Sequence, residues 1–316
     1  MAGQVYAVNT LGGNWTVPYL TDQLRHVSQP LFFFRQFLDV HEAVGKKRGD
    51  TFNFDIAGNV VSQGGTLVET STIPETEFLT NQGTATVNEF GNSVPFTFKL
   101  DALGQFELPS TIEMKLRDDW VKVLESAAGD QFVAADYVGV CVTTGSTAFT
   151  TNGTATATAT ADLTAFNLRN FVDEFKKRNV PKYDGRNYVL IGSTELLRGM
   201  HDDTGDGGWI DVSKYTAEFA SAIFAGEMGT FYNVRFVGET GYLSDTIGNG
   251  SIHGQGVLFG ADNVIEAMTE PEHIRVKNSM DYGRDLGLAW YALLGFQKVW
   301  DFSRDGEEHI LFITSA

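Results

Sequence analysis

Large apolar residues along this chain follow two rhythms, and the change from one to the other marks its parts. Asp50–Ile56 and Thr84–Leu100 alternate, with Phe52, Phe54 and Ile56, then Val94, Phe96, Phe98 and Leu100, each set on a single face. That period predicts strands that pair with each other. Between them lie Gly58, Gly64, Gly65, Thr66, Ser71, Thr72, Gln82 and Gly83, with few large apolar residues. A two-stranded ribbon is at best marginally stable alone in water. The segment is therefore expected to lie on something else, foremost another copy of the chain. From Ser110 the period becomes helical: Ile112, Leu116, Trp120, Val123 and Ala127 share one side, while Lys115, Arg117, Asp118, Lys122 and Glu125 face the other way. This predicts the longest helix, Ser110–Tyr137, with Gly129 as its weak point. Ser110-Thr111-Ile112-Glu113 reads as a capping box at its start.

Ahead of the ribbon, residues 1–48 read as an arm with a helix near Asp22–Ala43, interrupted at Pro30. Lys46, Lys47 and Arg48 close it with a basic cluster suited to a helix C-terminus. After the long helix, Val138–Thr143 reads as a strand. The Thr/Ala alternation of Thr151–Ala161 fits a hairpin or a mobile loop. A second helix is expected near Leu163–Asn179, with Leu168, Phe171, Val172 and Phe175 as its stripe and Pro181 as its stop. The continuous apolar run Tyr188–Ile191 predicts a buried strand, and Ser193 a cap for a short helix through Met200. A helix near Val212–Ala225 and a strand at Val234–Val237 follow. Val257–Phe259, His273–Val276, Leu286–Val299 and His309–Ile313 complete a strand-rich end. The expected class is α+β.

Charge narrows the function. Forty acidic against 23 basic residues give a net charge of −17, which argues against a direct grip on nucleic acid. It suits a surface that lies near nucleic acid without adhering, and equally well simple solubility. Cys141 sits in the apolar run Tyr137–Val142, so no disulfide framework is expected. No run of about eighteen apolar residues predicts a membrane span, and Met1–Val5 carries no secretory pattern.

Candidate chemistry is thin. Asp203-Thr204-Gly205 matches an aspartic-protease triplet but follows an expected helix and has no second copy. Asp202, Thr204, Asp206 and Gly207 imitate a calcium loop, yet Ser213 stands where the bidentate Glu is required. The six histidines are scattered without ligand spacing. No catalytic residue, cofactor or metal is expected, and the chain does not read as an enzyme.

Tyr183-Asp184-Gly185-Arg186-Asn187-Tyr188-Val189-Leu190-Ile191-Gly192-Ser193, then Trp209-Ile210, Tyr215 and Ala225-Gly226-Glu227-Met228-Gly229-Thr230-Phe231-Tyr232-Asn233-Val234-Arg235-Phe236-Val237-Gly238-Glu239-Thr240, form an ordered series. It resembles the major capsid proteins of tailed bacteriophages, specifically the N-four-type family. The general organisation resembles the Hong Kong ninety-seven capsid fold. On that resemblance residues 1–48 are an N-terminal arm, 49–104 an extended β loop and 105–140 the spine helix of a peripheral domain. Residues 141–256 would be an axial domain, and 257–316 the remaining peripheral strands. Gly192-Ser193, where a Pro is commoner, and the Thr/Ala stretch depart from the pattern.

The resemblance implies a structural protein of the virion, assembled in the bacterial host cytoplasm. It implies hexamers and pentamers of an icosahedral shell around double-stranded DNA that is not bound specifically. A portal protein, and scaffold or decoration proteins, are the implied partners. The inter-subunit contacts would involve Phe52, Phe54, Phe96, Phe98, Lys46, Lys47 and Arg48. Two other readings stand beside it: an encapsulin-like compartment shell, and a hydrolase or binding module.

Overall fold

The computed structural model describes residues 26–42, 49–60, 64–70, 72–104, 107–142, 148–150, 159, 161–202, 227–243, 254–278 and 281–315. Three sheets organise them. A four-stranded sheet has the order β1–β11–β12–β4, from Asp39–Glu42, Val264–Val276, Asp285–Lys298 and Asn88–Thr97. A seven-stranded sheet has the order β6–β5–β13–β10–β7–β9–β8, from Ala148–Thr150, Val138–Val140, Ile310–Thr314, Gln255–Phe259, Tyr188–Gly192, Val234–Gly238 and Glu227–Phe231. The third is a ribbon of β2 (Thr51–Ala57) and β3 (Thr80–Thr86).

The central strands of the large sheet are apolar on both faces, so the sheet divides two cores. Val189, Ile191, Val257, Phe259, Ile310 and Phe312 turn to one side. There they meet the long helix α2 (Leu108–Val133) and the four-stranded sheet, through Leu116, Leu124, Phe132, Val264, Trp290 and Leu294. Their neighbours Leu190, Leu258, Leu311 and Ile313 turn to the other side. These pack with Leu168, Phe171, Val172 and Phe175 of α3 (Ala165–Lys177), and with Leu196, Leu197 and Met200 of α4 (Thr194–Asp202). Period-two alternation across a doubly covered sheet produces this split. β10 and β13 are hydrogen-bonded with β7 and β5 in that one sheet. A division of the chain at residue 256 therefore falls at the second residue of a strand, inside a continuous ladder.

Several local expectations are corrected. Ser110 is not the cap of α2: Glu107 precedes the first turn, Pro109 lies within it, and the Ser110 and Thr111 hydroxyls donate to the Glu107 carbonyl at 3.2 and 2.9 Å. Glu113 accepts from Arg117 at 2.6 Å instead of reaching back. Proline suits this first turn because its missing N–H has no intrahelical partner there. The helix runs through Gly129, where an added Cβ would lie 2.7 Å from the Tyr242 ring. The glycine admits a close neighbour without breaking the helix.

The helix expected near Asp22–Ala43 is absent from its described part. Arg35–Phe37 form a single 3-10 turn, and Asp39–Glu42 is β1, parallel to β11. Tertiary partners override the local pattern. The Glu125 carboxylate takes the backbone N–H groups of Phe34 and Arg35 at 2.8 and 2.9 Å, and the edge of β11 supplies a ladder. The expected helix near Val212–Ala225 and most of Thr151–Ala161 lie outside the described residues, as does nearly all of the calcium-like loop. The strands expected at 188–191, 234–237, 257–259 and 309–313 are present as β7, β9, β10 and β13.

Candidate assembly surface

The ribbon pairs Thr51 with Thr86 at one end and Ala57 with Thr80 at the other. The sequence expectation that Thr84–Leu100 forms the second ribbon strand is corrected. Residues 80–86 fill that role, and 88–97 crosses to β12, pairing Asn88 with Leu294 through Thr97 with Asp285. Ribbon and sheet meet in a small apolar cluster of Ala85, Val87 and Ala267, against which Phe52 and Leu293 pack. Farther along, the Asn81 amide donates to the Arg304 carbonyl at 2.9 Å and to Asp305 at 3.0 Å, while the Arg304 guanidinium lies over the Phe54 ring. Ile56 is 6% exposed. The ribbon therefore has partners on its own chain.

The uncovered apolar surface lies elsewhere. The extended connection between β2 and β3 holds Val60, Leu67, Val68, Ile73, Phe78 and Leu79, all more than half exposed. Beyond β4, the short helix α1 (Phe98–Leu103) exposes Phe98, Leu100 and Leu103, the last at 76%. Of the four aromatics singled out from sequence, Phe52 and Phe54 are half-buried in the ribbon, 6.4 Å apart between ring centroids. Phe96 packs against the chain's own core with Phe90 and Val94. Only Phe98 is exposed. Lys46, Lys47 and Arg48 lie outside the described residues. Sequence reasoning missed the apolar residues of 58–79, whose scatter without a period gave no strand or helix signal.

The resembling segments 183–193 and 227–240 come together as one staple. The Asp184 carboxylate accepts from the Arg186 and Asn187 backbone amides and from Arg235 Nε at 2.8 Å. Arg235 also holds the buried Glu227 at 2.7 Å. Burial pushes the Asp184 carboxyl up, but the Asn187 and Arg235 donors outweigh it and hold it at about 2. The turn before β7 is thus tied to β8 and β9. Glu239, fully buried, receives the amides of Gly241, Tyr242 and Leu243. Burial raises its pKa, and those donors pull against the shift. Thr240 meets Leu31 through paired backbone and hydroxyl bonds. Arg35 bridges Glu266 at 2.6 Å and Glu272 at 3.1 Å on β11. These bonds are architectural, joining residues 31–35 to sheet and helix.

Among the described residues no group of three or more His, Cys, Asp or Glu side chains is placed to hold a metal ion. No described helix is long and apolar enough to cross a membrane.

No protein-family description matches the sequence, and no curated protein does. Solved structures do match over essentially the whole chain. The head structure of Helicobacter pylori bacteriophage KHP40 has a TM-score of 0.69 at 13% identity, covering 100% of this chain and 99% of that one. The Cyanophage Pam1 capsid asymmetric unit has 0.67 at 14%, covering 98% of each. The capsid of a native GTA particle has 0.62 at 15%, covering 99% and 100%. With the long helix, the four-stranded sheet and the ribbon in place, the chain has the Hong Kong ninety-seven type capsid fold.

Proposed function

We propose that this chain is the major capsid protein of a tailed bacteriophage, self-assembling into hexamers and pentamers of an icosahedral shell around double-stranded DNA. One observation carries the reading: in a chain whose fold matches capsid subunits end to end, the uncovered apolar side chains are concentrated in 58–79 and α1. Exposed apolar patches of this kind mark protein–protein contacts. Burying Phe98, Leu100 and Leu103 against a neighbour stabilises by several kcal/mol at roughly 25 cal/mol per Å². A shell repeats that contact many times. Phe52 and Phe54, and the basic Lys46, Lys47 and Arg48, would flank it.

The net charge of −17 supports a lumen that repels packaged DNA and leaves it unbound. On this reading residues 1–48 are the arm, 49–104 the extended loop, and the region beyond 140 divides into axial and peripheral parts. A portal and auxiliary scaffold or decoration proteins complete the particle, which forms in the host cytoplasm. The N-four-type subclass is part of this reading through the sequence resemblance of 183–193 and 225–240.

Electron microscopy of the overexpressed chain, alone and with any scaffold encoded beside it, tests the proposal. Closed shells or capsomer sheets are expected, and nucleic acid rather than a protein cargo inside particles made during infection. The double substitution Phe98→Ser with Leu103→Ser should abolish them while leaving the far-ultraviolet circular dichroism unchanged. A wild-type chain that stays monomeric under every condition defeats the assignment.

A further inference from the structure

The ribbon's outer attachment is one short turn, Asp301–Gly306, and that turn rests on an ionic cluster buried beneath it. Lys298 Nζ stands 3.4 Å from Asp136, 3.2 Å from Asp301 and 3.5 Å from Glu308, and donates to the Ala134 carbonyl at 3.2 Å. Three carboxylates thus share one ammonium. Two of the three are tied directly to the turn. Asp301 caps it by accepting the Ser303 and Arg304 amides, and Glu308 Oε2 accepts the Phe302 amide at 3.3 Å. Ser303 Oγ approaches Asp136 at 3.5 Å. On the other side of the turn, the Arg304 carbonyl and the Asp305 carboxylate hold Asn81 of β3, and the Arg304 guanidinium covers Phe54 of β2.

Glu308 is the weak member of the cluster. Its side chain is wholly buried, and its second oxygen, Oε1, has no hydrogen-bond partner. A proton on Oε1 would leave both contacts of Oε2 intact and remove one of three crowded negative charges. An ionised Glu308 instead leaves a charged oxygen buried and unsatisfied. The other charged groups around it are Arg178, Glu307 and His309, which share with it the lining of a cavity of about 200 Å³.

We propose that the Lys298 cluster is a proton-responsive anchor for the β2–β3 ribbon, holding the ribbon against its own chain while Glu308 is neutral and loosening it when Glu308 ionises. Burial raises the Glu308 pKa to about 7, with Lys298 pulling against the shift. Burial lowers the pKa of the neighbouring His309 from its ordinary 6.5. The sign follows from linkage. A carboxyl whose pKa rises on folding stabilises the anchored form fully below its ordinary value of 4.5, and that stabilisation is lost as pH rises through about 7. The device rests only on contacts within one chain, so its success or failure is separate from that of the shell assignment.

Hydrogen exchange by mass spectrometry on the purified full chain, from about pH 5.5 to about pH 8.5 and corrected for intrinsic exchange chemistry, reads it out. Protection of the 51–57 and 80–86 peptides should fall by about tenfold across pH 7, while the β7 peptide stays constant, since each pH unit above a pKa changes the linked equilibrium by up to tenfold. Glu308→Gln, which stays neutral, should remove the step and keep the protected state throughout. Asn81→Leu serves should that variant not fold. Its ribbon peptides should be loose at every pH, while the 299–309 peptide keeps its step. A wild-type ribbon without a step near pH 7, a step that survives in E308Q, or one that survives in the N81L ribbon each overturns the proposal.

Discussion

At Gly295 in β12 the four-stranded sheet closely approaches the end of the ribbon, and Gly295→Ala measures what that approach is worth. A Cβ built there would lie 2.0 Å from the Thr86 carbonyl oxygen and 3.2 Å from Val87 Cα. Real contacts of this kind stay above 3.0 Å, so β3 must retreat by at least about 1 Å, and the obstacle is backbone that no rotamer change removes. A gap of that size forfeits a quarter to a half of each dispersion contact it opens. The cluster at risk is Ala85, Val87 and Ala267 with Phe52 and Leu293. Overpacking of a well-filled site costs about 1–3 kcal/mol. Taking about 2 kcal/mol, local opening of the ribbon rises roughly thirtyfold. Exchange of the Thr51–Ala57 amides at a fixed pH reports it, with the β7 strand as internal control. Unchanged ribbon protection in a folded G295A chain would refute the claim that this contact holds the ribbon.

Other consequences follow from the bonds of the arm and the staple. Arg35→Ala leaves Glu266, 2% exposed, without its cation; a loss of about 3 kcal/mol is expected in chemical denaturation, while Glu272→Gln, at the more exposed end of the bridge, loses less than about 1 kcal/mol. The Asp184 pKa is held at about 2 against an ordinary 3.8. Its stabilising contribution is therefore present above about pH 4 and lost as pH falls toward 2. In acid titrations the stability gap between wild type and Asp184→Asn should close across that window. Cys141 is fully buried, and burial pushes its thiol well above the usual range. An aromatic disulfide reagent at mild alkaline pH should react only at the rate of unfolding, and prompt labelling of the folded chain contradicts the burial.

Much of the fold was written in local periodicity. The Ile112–Ala127 repeat gave α2, although its buried face passes from Ile112 and Leu116 to Leu124, Ala128 and Phe132, leaving Val123 exposed and turning Glu125 inward; the run Tyr188–Ile191 gave β7, which is buried throughout. Where tertiary partners decide, the pattern misleads. Val40 and Glu42 sit in a helix-like context, yet β11 offers an open edge and Asp39–Glu42 takes it. Val94 and Phe96 alternate as a ribbon strand would, but the two-residue period cannot say whether β2 or β12 lies alongside. The candidate surface was half legible. Phe98 was read as a contact residue and is exposed, whereas the apolar residues of 58–79 carry no rhythm to betray them.

The order of the large sheet has a consequence for biosynthesis. β13 is hydrogen-bonded between β5 and β10, yet it follows β5 by about 170 residues in sequence. At ribosomal speeds of roughly 5–20 residues per second, the gap beside β5 stays open for roughly ten to thirty seconds. During that interval apolar strand edges stand unpaired on a nascent polypeptide. Demand for a holding chaperone should therefore be greatest late in translation, and stalled or truncated products lacking β13 should be the sticky species in the cell.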